Sequence, residues 1–371
     1  MNAIVEALPV SVSAASAQPV AHGAPVADLR GRPLRDLRLS VIDQCNFRCT
    51  YCMPRDTFGA GYPFLPASAR LSFDQMETLA RAFASLGVDK IRITGGEPLL
   101  RRGVEHLIER LARIPTWDGR PMEIALTTNG VLLKDKARAL RDAGLTRVTV
   151  SLDALDDAVF RRMTDTDTPV ARVLEGIAAA SATGLSPVKV NTVIERGVND
   201  SQIVPLVRYF KGTGVALRFI EYMDVGGAEG WDMSRVMTAE EVRDTVASMY
   251  RLVATDTVRP GSTSVNYRHE DDGSEVVSEV GFIASVSQPF CGDCTRARVS
   301  SDGQLYTCLF ATQGMDLRPW LSDGASPARL AEAVRTRWQS RGDNYSERRG
   351  QRGAHGDRRQ YPTIRMSLVG G

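Results

Sequence analysis

Cys45, Cys49 and Cys52 stand within eight residues, CNFRCTYC, at C-x3-C-x2-C spacing. Thiolates are soft donors suited to iron–sulfur clusters or zinc. A structural zinc site closes with four protein ligands. None of the four histidines, His22, His106, His269 and His355, lies near this triplet in the chain. Three thiolates on a four-iron cluster leave one iron without a protein ligand, and an open metal position is what a reacting molecule can occupy. A zinc site completed from a distance is the alternative.

A second triplet, Cys291, Cys294 and Cys308, is spaced C-x2-C-x13-C with no fourth Cys or His adjacent. A CxxC redox pair would leave Cys308 unexplained and would want a different βαβ setting. A second three-ligand cluster is more economical. Arg296 and Arg298 lie between these ligands, two apart and so on one face of an extended chain, as a phosphate or oxyanion clamp would be. All six cysteines fall into the two triplets and no basic-then-apolar export signal stands at the N-terminus. A reduced, cytoplasmic setting is therefore expected.

The elements that must position these groups alternate. From residue 35 to 223, β-like runs (LRDLRLSVID, DKIRITGG, MEIALTTNG, TRVTVSLD, PVKVNTV and VALRFIEYM) are separated by helical stretches. Ser72 and Gln75 form the signature of a capping box at the first helix. Helices are predicted over about 103–114, 134–143, up to 182, and 201–211. Repeated βα units imply a parallel sheet with right-handed crossovers, open or curled into a barrel. Within each strand one face is apolar, such as Leu37, Leu39 and Val41. The other is polar and often cationic: Arg38, Arg92, Thr127, Ser151, Lys189 and Arg218 occupy it in six successive strands. A packed barrel interior would be apolar. A polar one predicts a cavity for a polyanion.

After Thr238 the pattern changes to a helix (239–250), antiparallel-like strands with turn signals, and a helix over 327–340. The expected division is a disordered leader (1–33), a partial barrel (34–237), a C-terminal unit carrying the second triplet (238–340), and a flexible Arg- and Gly-rich segment ending in Gly370-Gly371 (341–371). The net charge of +2 argues against nucleic-acid binding by bulk charge, and no apolar run is long enough to suggest a membrane span.

The first triplet with Tyr51 before its last cysteine, followed by TGGEP (Thr94–Pro98), resembles the radical S-adenosylmethionine (SAM) superfamily. The second triplet, TRARVSSDG after Cys294 and the terminal Gly-Gly narrow the resemblance to the molybdenum cofactor biosynthesis protein A family, the GTP 3′,8-cyclases. The resemblance spans about residues 37–321 and returns at the tail. It implies an incomplete (β/α)6 TIM-type barrel with a smaller C-terminal α+β unit covering the open side. It implies a 4Fe–4S cluster on Cys45, Cys49 and Cys52 that binds SAM, with Tyr51, Gly96, Ser151 and Met223 at SAM-contacting positions. A second 4Fe–4S cluster would sit on Cys291, Cys294 and Cys308 and meet the guanine. Arg38, Arg92, Thr127, Lys189, Arg296 and Arg298 match GTP contacts, with Arg218 a further one; Arg296, Arg298, Gly370 and Gly371 carry catalytic roles.

The implied reaction starts when reductive cleavage of SAM gives a 5′-deoxyadenosyl radical. That radical takes hydrogen from ribose C3′, which then bonds to C8 of guanine. An external electron donor and a downstream pterin-forming enzyme are implied partners, and a homodimer is compatible. The chain departs from the family pattern at Gly103 and over 341–360, where a Lys-Pro…His pattern is absent. A peptide-modifying radical SAM enzyme with an auxiliary cluster, or a zinc-binding scaffold, are the other readings of the same cysteines.

Overall fold

The computed structural model describes residues 25–225, 231–255, 261–270, 278–322, 326–347 and 365–370. β1 (Asp36–Ser40) leads to α1 (Phe73–Ser85), β2 (Lys90–Thr94), α2 (Val104–Ala112), β3 (Glu123–Thr128), α3 (Leu133–Asp142) and β4 (Arg147–Ser151). Then follow α4 (Asp157–Thr164), α5 (Val170–Ala182), β5 (Val188–Ile194), α6 (Ile203–Phe210) and β6 (Ala216–Glu221). All six strands pair in parallel with their sequence neighbours.

The apolar strand face meets the helices as its alternation requires. Leu37, Leu39, Ile91, Ile93, Ile124 and Leu126 are fully buried, against α1 residues such as Met76, Leu79 and Phe83. The capping box closes α1: the Ser72 hydroxyl accepts from Gln75 N at 3.2 Å and Gln75 accepts from Ser72 N at 2.9 Å. Such caps contribute about 1 kcal/mol.

The C-terminal unit holds α7 (Ala239–Ala247), β7 (Leu252–Ala254), β8 (Val265–His269), β9 (Glu279–Ile283), β10 (Arg296–Val299), β11 (Gln304–Tyr306), β12 (Met315–Asp316) and α8 (Pro327–Gln339). A single turn of helix, α9 (Met366–Val369), ends the described chain. Pairings inside the unit are antiparallel. Among the described residues it has no separate sheet, however. β9 adds in parallel to β6 and β10 in parallel to β1, giving one twelve-stranded sheet whose middle eight strands run the same way. α8 packs on α1 and fastens the unit to the outside of the barrel.

Two expected disordered stretches differ in part. Residues 1–24 lie outside the described residues, but Val26, Asp28 and Arg32 are 5, 7 and 2% exposed. Val26 N bonds Leu86 O and Leu34 N bonds Val26 O, so this segment is laid against the end of α1. Arg341, placed in the flexible segment, is 4% exposed. His355 and the rest of 348–364 lie outside the described residues. Among the described residues no helix is long and apolar enough to cross a membrane.

Candidate active site

After β1 the chain continues beside the end of β2: Val41 N bonds Thr94 O, Gly96 N bonds Ile42 O and Glu97 N bonds Gln44 O. The approach leaves no room for side chains. A Cβ on Gly95, at φ +144°, would lie 2.2 Å from Ile42 O, and one on Gly96 would lie 2.2 Å from Gln44 O. TGGEP thus fixes the path into the cysteine loop. Gly96→Ala is expected to displace that loop at a cost of about 1–3 kcal/mol, seen as a lower melting temperature and reduced iron uptake.

Buried carboxylates pin the same loop from neighbouring strands. Glu97 accepts from Leu99 N (2.9 Å), Thr128 Oγ1 (2.8 Å) and Asn129 N (2.7 Å). Asn129 Nδ2 in turn donates to Asn46 Oδ1 at 2.8 Å. Asp153 accepts from the Tyr51 hydroxyl and from Val193 N, both at 2.8 Å. Burial raises Glu97 to about 7 and Asp153 to about 6. Neither carboxylate was singled out from sequence. Asp153 continues the polar alternation two residues past Ser151, the signal that could have found it.

Burial also lifts the thiols, Cys45 to about 11 with help from Glu97, Cys52 to about 12 with help from Cys45, and Cys49 well above the ordinary range. Three half-buried thiols facing one cavity become thiolates when a metal centre supplies the balancing charge. Phe47 N already points at Cys45 Sγ from 3.4 Å. This donor set fits the iron–sulfur cluster of a three-cysteine site.

The second triplet lies at the other end of the barrel. Cys291 and Cys294 precede β10, and Cys308 follows β11, which returns antiparallel. Leu39 pairs with Val299, so Ser40, at the end of β1, is level with Ser300, six residues beyond Cys294. At about 3.3 Å per residue that is roughly 20 Å. Burial opposes ionisation of Cys294, yet Arg296 and Arg341 outweigh it and pull the thiol down to about 6. Cys308 is raised by burial to about 11, with Phe310 N at 3.4 Å from its sulfur. Among the described residues no three His, Cys, Asp or Glu side chains are grouped to hold a single metal ion.

Between the two ends is a cavity of about 1220 Å³. All six cysteines line it, with Arg38, Tyr51, Arg92, Gly96, Thr127, Ser151, Lys189, Arg218, Met223, Arg296 and Arg298. Its wall is layered. Lowest, Lys90 pairs with Asp36 at 3.0 Å and Arg147 pairs with Glu123. Above them, Arg38, Arg92, Lys189 and Arg218, with Arg296 and Arg298 from β10, have no carboxylate partner among the described residues; Arg92 reaches only Thr127 (3.0 Å) and Thr149 (3.2 Å). Burial and mutual repulsion push Lys189 down to about 7, Arg218 and Arg298 to about 10, and Arg38 well below the guanidinium range. So many cations facing one cavity without an ion pair of their own favour an anion there.

The tail enters beside them. Arg298 donates to Gly370 O, and a Cβ on Gly370 (φ +69°) would lie 2.1 Å from Thr94 Cγ2. Met366 lines the cavity. Gly371 lies outside the described residues.

A curled parallel sheet with a three-cysteine loop after its first strand defines the radical SAM class. Residues 39–210 match the Radical SAM superfamily and residues 215–347 match Molybdenum Cofactor Synthesis C. The Streptococcus suis SuiB structure bound to S-adenosylmethionine shares the fold, with TM-score 0.55 and 16% identity over 82% of this chain and 68% of that one. The GTP 3′,8-cyclase of Xanthomonas axonopodis pv. citri is 53% identical over 94% of this chain and 99% of its own length. That of Staphylococcus aureus (strain JH9) is 47% identical over 93% and 99%. The chain belongs to the GTP 3′,8-cyclase family.

Proposed function

We propose that this chain converts GTP to (8S)-3′,8-cyclo-7,8-dihydroguanosine 5′-triphosphate, the first step of molybdenum cofactor synthesis. The observation that carries this reading is the set of six cavity-lining cations with no carboxylate partner among the described residues, lying between two cysteine triplets. Several guanidinium groups and one ammonium suit a triphosphate. Cys45, Cys49 and Cys52 would hold the SAM-binding cluster, with Tyr51, Gly96, Ser151 and Met223 around the cofactor. Cys291, Cys294 and Cys308 would hold a second 4Fe–4S cluster facing the guanine.

With SAM bound, the first cluster supplies one-electron chemistry that yields a hydrogen-abstracting carbon radical. The residues place and shield. The cationic layer, with Thr127, fixes the triphosphate and so the ribose, and Gly370, held by Arg298, closes the cavity against water. The hydrogen lost from C3′ is replaced at the base by an electron and a proton, so substrate and product are isomers. An external donor supplies electrons, and a pterin-forming enzyme takes the product onward in the cytoplasm. Neither donor nor recipient implies nucleic acid or membrane.

Lys189 links binding to pH. In the free cavity it titrates near 7, and a bound triphosphate raises that value. Below 7 it is protonated free or bound, so Lys189 adds no pH dependence of its own. Above 7 binding must take up a proton, and affinity falls as pH rises, by up to about tenfold per unit. Titration calorimetry in buffers of different ionisation heat should show proton uptake at pH 8 that Lys189→Met removes.

Anaerobic incubation with SAM, reductant and GTP tests the whole reading. Consumption of GTP with release of 5′-deoxyadenosine supports it. Release of 5′-deoxyadenosine with GTP untouched contradicts it and favours a different radical SAM substrate.

A further inference from the structure

The segment before β1 and the segment after α8 meet behind the second triplet. Asp28 and Arg32 pair at 2.6 Å, with side chains 0 and 2% exposed. Arg341, also 2% exposed, lies 3.8 Å from Asp28 and bonds Asp343 at 3.2 Å, while Arg32 approaches Asp343 at 3.8 Å. The four form one closed set of two cations and two anions. Trp338 clamps it: its Nε1 donates to Arg32 O at 3.1 Å, and Arg341 lies over its ring at 4.7 Å.

Asp28 also accepts from Arg30 N and Arg32 N, and three further bonds of this set lead to cysteine segments. Arg32 Nη1 donates to Cys291 O and Arg341 Nη1 donates to Cys294 O, both at 2.9 Å. Asp343 accepts from the Thr307 hydroxyl at 2.9 Å, one residue before Cys308. A surface ion pair would contribute little. A buried one is costly unless its hydrogen bonds are nearly complete; here Arg32 Nη2 alone of the set lacks one, and the bonds leading outward end on the three stretches of chain that carry the thiols.

We propose that Asp28, Arg32, Arg341 and Asp343 are positioning residues for the second iron–sulfur cluster, holding its three ligand segments in register from behind. This rests on the reading that Cys291, Cys294 and Cys308 bind such a cluster. Asp28 and Arg32 stand behind the thiols, and Arg341 and Asp343 also reach the cavity wall. The set preorganises the thiols, and its two guanidinium groups favour the more negative, reduced state of whatever the thiols hold. Outer partners of this kind typically change metal affinity about 10–100-fold.

The test uses the full chain, reconstituted anaerobically, as wild type, Arg32→Gln, Arg32→Lys and Arg341→Gln. Iron content, loss of iron to a chelator and the paramagnetic resonance of each cluster are followed, the first cluster serving as internal reference. Arg32→Gln and Arg341→Gln should lose second-cluster iron about tenfold faster, with an altered second-cluster signal and a lower midpoint potential. The first-cluster signal should stay unchanged. Arg32→Lys, which keeps the charge near Asp28 but not the fork to Cys291, should fall between. Wild-type signal and chelation rates in both glutamine variants would overturn the inference, as would parallel loss of both clusters in all three variants. Wild-type protein that takes up iron for the first cluster alone would instead overturn the second-cluster reading, and the inference with it.

Discussion

Cys49→Ser protein, reconstituted without oxygen, is expected to release no 5′-deoxyadenosine from SAM. Serine offers a hard, weakly acidic oxygen where iron needs a soft thiolate, and with only two thiolates left the first cluster has too few anchors. The Cys49 carbonyl accepts from Cys52 N and Met53 N, main-chain bonds that serine keeps, so the loss comes from the missing thiolate and not from the turn that presents Cys52. Cys308→Ser is expected to behave differently. Its site is at the far end of the barrel, so SAM cleavage should persist while cyclised product disappears. Product quantified beside 5′-deoxyadenosine checks both. Loss of SAM cleavage in both variants, with the second site intact in each, would contradict the division of labour between the two ends.

Arg298→Ala is expected to lower kcat/KM for GTP by about 10–100-fold, the effect of removing a charged hydrogen-bond donor from a buried site. The side chain is 5% exposed, faces Arg38 across the β1–β10 pairing, and holds the carbonyl of Gly370. Its loss removes a cation from the cavity wall and releases the tail in one change. Gly370→Ala separates the two effects, because it leaves the cation and places a methyl group 2.1 Å from Thr94 Cγ2. GTP affinity should fall in Arg298→Ala and stay close to wild type in Gly370→Ala, with turnover reduced in both. Calorimetry and initial rates on the same preparations distinguish them.

Local pattern carried the barrel. Strand alternation placed Arg38, Arg92, Lys189 and Arg218 on one face because side-chain direction in a strand has a fixed period, and the cavity gathers those residues. The capping box at Ser72 was legible for the same reason, being complete within four residues. Pairings between distant segments were not legible. β9 and β10 read as members of a separate antiparallel unit, since nothing in VGFI or RARV announces that Val280 will pair with Leu217 or Arg298 with Arg38. The stretch containing Asp28 and Arg32 read as a leader because it is short, rich in Pro and Ala and without periodicity. Its order comes from Trp338, Arg341 and Asp343, some 300 residues away. Glu97 stood inside a motif noticed for its glycines; its bond from Leu99 N is local, and those from Thr128 and Asn129 appear only when β2 and β3 lie side by side.

The central claim is that the cationic cavity holds GTP with its ribose presented to the chemistry of the first cysteine site. The most direct measurement is anaerobic turnover with GTP deuterated at C3′, followed by mass analysis of the 5′-deoxyadenosine released. Deuterium in 5′-deoxyadenosine, together with cyclised product, is the predicted result. Unlabelled 5′-deoxyadenosine formed while GTP is consumed would contradict the placement of the ribose and, with it, the account of the cavity.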